Sequence, residues 1–276
     1  MVMEKELNIF TLKFGESVNI FQGILLFLSA ALAGAINSIA GGGSFIAFPA
    51  LIFTGVPPIN SNAMCSVALF PGSLASIGGY RLELIEERKI LPLMILTSIV
   101  GGIAGAVIML KTPPNTFMEL VPYLLLIANL LFIFGPRITA SFRNRNAEKG
   151  TNRFRLLTGT IILQLFIALY GGFFGAGMGI MMLAALTLMG MDNIHKMNAF
   201  KVVLGSCING IAAIIFISAG VILWLQACVM IIGAVIGGFW GAYYARKYDP
   251  AKVRIIVILI GSAMTLYFFA KVYLYK

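Results

Sequence analysis

The stretch NSIAGGGS at residues 37–44 decides the fold, because three consecutive glycines interrupt a long apolar run there. Glycine has high backbone entropy and tolerates positive φ, so a glycine cluster favours an unwound segment between two helices. The apolar residues of 20–41 are numerous enough to cross a bilayer, whereas those of 44–54 are too few. Unwound backbone survives in a hydrocarbon layer only where protein, water or a bound molecule satisfies its N–H and C=O groups. The stretch therefore predicts a broken helix whose gap lies inside the protein.

The composition of the whole chain places such helices in a lipid bilayer. Of its 276 residues, 60% are hydrophobic and 11% are charged, whereas a soluble domain is about 45–50% apolar and about 25% charged. These values exclude a soluble globular protein and a disordered one. The net charge is +10, but the basic residues lie in short connectors between apolar runs. Membrane orientation explains this charge better than a nucleic-acid partner, so we expect no nucleic acid.

Ten apolar runs follow one another along the chain. Eight of them are long enough to span the bilayer, and two shorter ones each follow a glycine cluster. We therefore predict an all-α polytopic membrane protein with eight long transmembrane helices and two half-length helices. The long runs lie near 20–41, 62–80, 90–110, 117–136, 156–175, 197–218, 221–245 and 254–273, and the short ones at 44–54 and 180–190.

The two halves of the sequence are related to each other. A shift of 136 residues brings the glycines of 37–44 onto those of 171–179, and Asn62 onto Asn198. Each half holds five membrane segments, an odd number, so the second half is inserted upside down. Two inverted five-segment repeats with broken helices are the plan of many secondary transporters. The predicted divisions are a leader (1–19), a first repeat (20–136), a basic linker (137–155) and a second repeat (156–273).

The distribution of Lys and Arg predicts the orientation of the chain. Short loops rich in these residues lie on the cytoplasmic side of a membrane, and the richest are 81–89, 137–155 and 246–254. With these three loops inside, both termini and the uncharged loop 55–61 fall outside. We therefore expect a multi-pass protein of the cell membrane with an extracytoplasmic leader.

The two glycine clusters are the first candidates for a binding site. A helix that restarts after a break points free N–H groups and a positive dipole end at the gap, so two facing breaks form a cradle for an anion. Close helix packing through small residues is the alternative. That alternative fits the two further clusters GGIAG at 101–105 and GGFWG at 237–241 better.

Polar residues at helical spacing are the second candidates. Asn62, Ser66 and Ser73 in the first half, and Asn198 and Asn209 in the second, are separated by four, seven or eleven residues and so share one face of each helix. Such a face is expected to meet protein or water rather than lipid. Hydrogen bonding between helices is the alternative role.

Lys201 is the third candidate, because it is the only formal charge placed clearly inside a span. A lysine at a helix centre costs about 2.5–3.5 kcal/mol on insertion scales, so a functional role is the default hypothesis. The alternative is that its long side chain reaches the headgroups. No Asp or Glu lies in the middle of a span, which argues against a cation site and fits a cavity for anions.

The residue types present in the chain also argue against catalysis. One histidine and no HExxH motif leave no nucleophile–base or metal constellation, so we expect no catalytic residue, no metal and no cofactor. The expected substrate-binding residues come from both breaks and both polar faces. They are Asn37, Ser38, Gly41, Gly42, Gly43, Ser44, Asn62, Ser66, Ser73, Gly175, Gly177, Gly179, Asn198, Lys201 and Asn209.

These motifs resemble a known family. NSIAGGGS, VALFPGSLAS at 67–76 and GYR at 79–81 look like the first repeat of the TauE/SafE sulfite exporter family, also called the 4-toluene sulfonate uptake permease family. GAGMG at 175–179 and NAFK at 198–201 look like its second repeat. The resemblance covers about residues 20–272 and implies a multi-pass transporter of small anions such as sulfite or sulfonates. The second glycine cluster departs from the pattern, because a methionine replaces its middle glycine.

Our leading hypothesis is therefore a transporter of small oxyanions that works by alternating access at the interface of two inverted repeats. A channel-like anion facilitator is the nearest alternative, and a membrane-embedded enzyme is the rival from another class. The expected partners are a small anionic substrate and the lipid bilayer, and a homodimer is one assembly that the sequence allows.

Overall fold

A computed structural model describes residues 19–78, 90–148, 153–191, 193–244 and 250–274. Within these ranges the chain is all-helical, with ten α-helices and no strand. A short π-helical segment, Ala270–Leu274, continues the last helix. The helices are α1 Ile20–Ile39, α2 Ser44–Phe53, α3 Pro58–Ile77, α4 Leu91–Lys111, α5 Pro114–Glu148, α6 Arg153–Phe173, α7 Met178–Leu188, α8 Ile194–Ser218, α9 Trp224–Tyr244 and α10 Pro250–Phe269.

Six of the described helical segments are long and apolar enough to cross a membrane. They belong to α1, α4, α5, α8, α9 and α10. The helix α3 is long, but its first half carries several asparagines and serines. The apolar part of α6, Thr158–Phe173, is shorter than a full span. That α3 and α6 also cross the membrane, which would give eight transmembrane helices, therefore remains a prediction.

Several helix boundaries differ from those expected from the apolar runs, and three of them have a local explanation. The helix α3 begins at Pro58 rather than near residue 62, because proline is favoured in the first turn, where its missing N–H is not needed. The helix α5 continues to Glu148 through most of the predicted linker, since no Gly or Pro follows Pro136 until Gly150. The helix α8 already begins at Ile194, because the Asn193 side chain accepts hydrogen bonds from the first free amides.

The two broken helices lie where the glycine clusters predict them. The helix α1 ends at Ile39, and α2 begins five residues later, after Gly41 with φ 73°. The helix α6 ends at Phe173, and α7 begins after Gly175 and Gly177, with φ 78° and 77°. Positive φ is easily adopted by glycine alone, so these three positions explain why the chain turns there.

Six helices pack closely into what we call the six-helix block: α1, α3, α4, α6, α8 and α9. The helix α9 lies against α1 and α3, α4 lies against α6 and α8, and α3 lies against α8. Glycines permit backbone contact at these crossings: a Cβ at Gly101 would lie 2.7 Å from the Leu165 carbonyl oxygen, and one at Gly238 would lie 2.8 Å from the Gly72 carbonyl carbon. The clusters 101–105 and 237–241 are thus packing sites, as predicted.

The remaining helices α2, α5, α7 and α10 form what we call the four-helix block. The helix α5 contacts α7 and α10, and α10 contacts α2. Aromatic side chains join α2 to α5 and α10. The Phe45 ring of α2 lies edge to face on the Phe132 ring of α5, with centroids 5.5 Å apart, and the centroid of Phe48 lies 5.8 Å from that of Phe268 of α10. Such pairs add about 0.5–1.5 kcal/mol each beyond their buried area.

The helix contacts are arranged alike in the two halves of the chain. The first helix of each half, α1 or α6, packs against the fourth helix of the other half, α9 or α4. The third helices, α3 and α8, contact each other, and each also contacts the fourth helix of the opposite half. The fifth helix of each half, α5 or α10, contacts the half-length helix of the other. Exchanging each helix with its counterpart leaves this list of contacts unchanged.

Candidate functional site

A small cavity, lined by both polar and apolar residues, lies between the two helix breaks, where the six-helix block meets the four-helix block. We call it the seam cavity. It is narrow, with room for about one water molecule. The residues that line it come from α1, α3, α7, α8 and the first break. They are Asn37, Ser38, Gly41, Ser73, Ser76, Met178, Gly179, Met182, Lys201, Val202 and Gly205.

Lys201 is the charged residue of this cavity. Only 3% of its surface is exposed, so its ammonium does not reach the headgroups. The Nζ atom donates to the carbonyl oxygens of Ser38 and Ile39, both at 3.2 Å, and to Oδ1 of Asn198 at 3.0 Å. These three partners match the three donors of an ammonium group. The side chain therefore connects α8 to the end of α1.

The partners of this ammonium are dipoles rather than a carboxylate. Ser38 and Ile39 are the last residues of α1, where carbonyl oxygens lack helical partners and the helix dipole is negative. No acidic side chain lines the cavity among the residues that the structure describes. The positive charge is thus met by two helix-end carbonyl oxygens and one amide oxygen rather than by an acidic side chain.

Two serine hydroxyls form a second polar group beside the lysine. The Oγ atoms of Ser38 and Ser76 lie 2.6 Å apart, and each lies 3.0 Å from the carbonyl oxygen of Gly238. Nearby, Asn37 Nδ2 donates to Ser73 Oγ at 3.2 Å. Ser76 is absent from the expected site residues, although its position three residues after Ser73 on α3 places it on the same helical face.

The two breaks touch each other at the edge of the cavity. A Cβ built on Gly41 would lie 2.8 Å from Cα of Gly179, and the reverse distance is the same. The breaks therefore face each other as predicted, but their backbones are in direct contact here. Apolar side chains complete the wall: Met178 and Met182 of α7 and Val202 of α8 were not expected from the sequence.

Several glycines of the breaks lie outside the cavity and pack against other helices. A Cβ at Gly42 would lie 2.6 Å from the Phe132 ring, one at Gly43 would lie 3.2 Å from Asn37 Cβ, and one at Gly177 would lie 3.0 Å from Cβ of Ala128. Ser44 and Gly175 are likewise not among the lining residues. The start of α7 contributes to the cavity, whereas the start of α2 does not.

The predicted polar faces of α3 and α8 are divided between the cavity and the helix ends. Asn62 lies outside the cavity, where its Nδ2 donates to the carbonyl oxygen of Phe173, the last residue of α6, at 2.8 Å. Asn198 accepts from Lys201, and Ser66 approaches only its own helix, at 3.5 Å from the Asn62 carbonyl oxygen. Asn209 is buried but does not line the cavity.

These contacts follow a common plan in both halves. The third helix of the first half, α3, caps the broken helix α6 through a neutral amide. The third helix of the second half, α8, caps the broken helix α1 through the lysine. The sequence position that corresponds to Lys201 in the first half is Cys65, so the charged cap exists on one side alone.

Comparison with known proteins identifies the family. The family model described as "Sulfite exporter TauE/SafE" matches residues 26–268. A "Probable membrane transporter protein" of Haemophilus influenzae is 30% identical, with 87% of this chain and 92% of that protein covered.

More distant relatives carry similar names. The "Probable membrane transporter protein YfcA" of Escherichia coli K12 is 27% identical, with 87% of both chains covered. The "Probable membrane transporter protein YunE" of Bacillus subtilis is 22% identical over 87% of this chain and 96% of its own length. No solved structure matches the chain. The relatives are named as transporters rather than enzymes, and the chain belongs to the sulfite exporter TauE/SafE family of multi-pass membrane transporters.

Proposed function

We propose that this transporter moves a small oxyanion of the sulfite or organosulfonate kind, and that the anion binds in the seam cavity. The observation that carries the proposal is the buried ammonium of Lys201 in a cavity whose described lining contains no acidic side chain. The hydroxyls of Ser38 and Ser76, which now donate to backbone carbonyls, and the amide of Asn37 would supply further donors to an anion that displaces their present acceptors. Donors together with positive charge suit an oxyanion and disfavour a cation.

The proposed contact site contains fewer residues than the set expected from the sequence. Direct contact with the anion is assigned to cavity residues, and the other expected residues hold these in place by capping or packing. The contact residues are Asn37, Ser38, Gly41, Ser73, Ser76, Gly179 and Lys201, and the supporting ones are Gly42, Gly43, Ser44, Asn62, Ser66, Gly175, Gly177, Asn198 and Asn209.

The narrowness of the cavity supports transport by alternating access. The cavity has room for about one water molecule, and an oxyanion is larger than that. Binding therefore requires Gly41 and Gly179 to separate, and these two glycines belong to the two breaks. We propose that the four-helix block rocks against the six-helix block about the breaks and opens the cavity to one side at a time. The matched contacts of the two halves support an inverted repeat as the basis of this motion.

Uptake into proteoliposomes tests the substrate class. The purified protein is reconstituted, and the uptake of labelled sulfite, sulfate, thiosulfate and short sulfonates is compared with that of a cation such as rubidium. We expect saturable uptake of at least one of these anions and none of the cation. Uptake of the cation alone, or of none of the anions, would refute the proposal.

A channel-like facilitator is distinguished by counterflow. A carrier loaded with unlabelled substrate on one side accumulates labelled substrate transiently, because the same site returns loaded from either face. A channel shows no such accumulation. We expect counterflow, since Gly41 and Gly179 are in direct contact at the edge of the cavity and would have to separate each time an anion enters.

A further inference from the structure

The helix α5 contains a proline that deprives one carbonyl oxygen of its usual donor. In an α-helix the carbonyl of residue i accepts from the N–H of residue i+4, and proline has no N–H. Pro136 stands four residues after Phe132, so the Phe132 carbonyl lacks its helical partner. The helix nevertheless continues to Glu148. A buried carbonyl in this position requires a donor from elsewhere.

Arg254 of α10 supplies that donor. Its Nε atom donates to the Phe132 carbonyl oxygen at 2.8 Å, and its Nη2 atom donates to the Ile133 carbonyl oxygen at 3.2 Å. The planar guanidinium holds these donors in a fixed fork, which suits two successive carbonyls. Arg254 is half-buried. One of the basic residues that the sequence assigns to a cytoplasmic loop is therefore engaged in joining α5 to α10.

The joint lies directly behind the first helix break. Phe132 is fully buried, and its ring is the group that a Cβ at Gly42 would meet, at 2.6 Å. The same ring packs edge to face on Phe45 at the start of α2. Val257 lies three residues after Arg254, hence on the same face of α10, and would lie 3.0 Å from a Cβ at Gly42. The break thus rests on a wall formed by α5 and α10.

We infer that Arg254 is a positioning residue for the first helix break. Its guanidinium replaces the hydrogen bond that Pro136 removes, fixes α5 to α10 at the level of Phe132, and so holds Gly42 and Phe45 in place. The proline and the arginine act together at Phe132, because the bond from Nε is needed there only when the helical amide is missing, and the bond from Nη2 to Ile133 is additional. This role does not depend on which substrate the cavity binds.

A cysteine reporter at the break tests the inference. Ser44, half-buried at the start of α2, is changed to Cys in a protein whose Cys65, Cys207 and Cys228 are replaced by Ala. The rate of its labelling by a membrane-permeant maleimide is measured in native membranes. Arg254→Gln should raise this rate about tenfold, because a hydrogen bond to a charged group contributes enough to shift an equilibrium by about a decade.

The matched variants give the test its specificity. Pro136→Ala restores the missing amide, so the double variant Pro136→Ala, Arg254→Gln should label within about twofold of the parent. Lys252→Gln, which removes an exposed charge from the same helix, should leave the rate unchanged. Equal rates for Arg254→Gln and Lys252→Gln would overturn the inference, as would a double variant that labels like Arg254→Gln alone.

A variant that does not accumulate still gives a result. Should Arg254→Gln fail to insert, the amount of inserted protein becomes the readout, and Pro136→Ala must restore it. No restoration would mean that Arg254 acts through its charge, not through the carbonyl of Phe132, and would refute the role. Neither measurement involves transport. A failure of the inference about Arg254 is therefore distinguishable from a failure of the anion proposal.

Discussion

Lys201 joins two roles in one side chain. Its ammonium caps the end of α1 and at the same time lines the seam cavity. If an anion binds in the seam cavity as proposed, it would compete with the Ser38 and Ile39 carbonyls for the donors of Lys201. Binding would then loosen the cap of the broken helix and would link occupancy of the cavity to the position of the first break.

Replacement of Lys201 by methionine tests its part in binding. Lys201→Met keeps most of the stem packing but removes the charged donor, which contributes roughly 1.5–3 kcal/mol. We expect a loss of apparent affinity of about 10- to 150-fold. Lys201→Arg should rescue only in part, because guanidinium differs from ammonium in shape and hydration.

A flux titration normalised to inserted protein measures both Lys201 variants. The control is Lys196→Met in the first turn of α8, which removes a lysine that is not among the residues lining the cavity and should leave the affinity near that of the parent. Parent-like affinity of Lys201→Met would exclude the ammonium from the site.

Two cavity glycines should respond differently to the same added methyl group. At Gly179 a Cβ would lie 2.8 Å from the Cα of Gly41 and 3.2 Å from Cδ of Lys201, whereas at Gly205 the nearest atom is the flexible end of Met178 at 3.7 Å. Overpacking costs about 1–3 kcal/mol. We therefore expect Gly179→Ala to lower transport about tenfold or more, and Gly205→Ala to stay within about twofold of the parent.

The comparison uses initial rates in proteoliposomes with the insertion of both variants verified. Equal rates for the two would mean that the contact between the breaks is not part of the transport cycle.

At the scale of elements, the stability of the second broken helix should depend on its cap. Asn62→Ala removes the donor to the Phe173 carbonyl oxygen and leaves a partly buried acceptor at the end of α6. Such a loss costs about 1–3 kcal/mol. We expect a lower thermal midpoint of the protein in detergent micelles.

Ser66→Ala is the matched control for this cap. Its hydroxyl makes only a long contact of 3.5 Å to its own helix, so the change should stay within about 0.5 kcal/mol. If the two variants have the same thermal midpoint, the amide of Asn62 does not measurably stabilise the end of α6.

The helices also show how much of the structure can be predicted from the sequence. Apolar runs and glycine clusters suffice to place α1, α2, α6 and α7, because helix length in a bilayer and the backbone freedom of glycine are local properties. The rotation of each helix about its axis is not local. Spacing shows that Asn62 and Ser73 share a face of α3, but the residues that this face meets depend on helices far away in sequence. Ser76 and Met182 were therefore missed, and Gly42 was expected to line the cavity but faces the ring of Phe132 instead.

At the scale of the whole molecule, the two blocks differ in how they are held together. The six-helix block is joined by backbone contacts at glycines, which leave little room for sliding. The four-helix block is joined largely by aromatic rings, by Arg254, and by the hydrogen bond from Asn129 Nδ2 to Ser262 Oγ at 2.8 Å. The proposed rocking motion would use this difference, with the half-length helices α2 and α7, which contact both blocks, at the boundary beside the two breaks.

The orientation of the molecule gives the last prediction, and the two ends of α5 provide its test. The charge distribution predicts that the basic end of this helix lies in the cytoplasm and that its beginning, after Lys111, lies outside. A cysteine at Asn115, exposed near the start of α5, and one at Asn146, near its end, are introduced separately into the protein without native cysteines. An impermeant maleimide applied to intact cells should label Asn115→Cys at once and Asn146→Cys only after the membrane is permeabilised. Labelling of Asn146→Cys but not of Asn115→Cys from outside would reverse the predicted orientation of the whole molecule. Labelling of both sites from outside would mean that α5 does not cross the membrane, despite an apolar segment, Pro114–Gly135, that is long enough to do so.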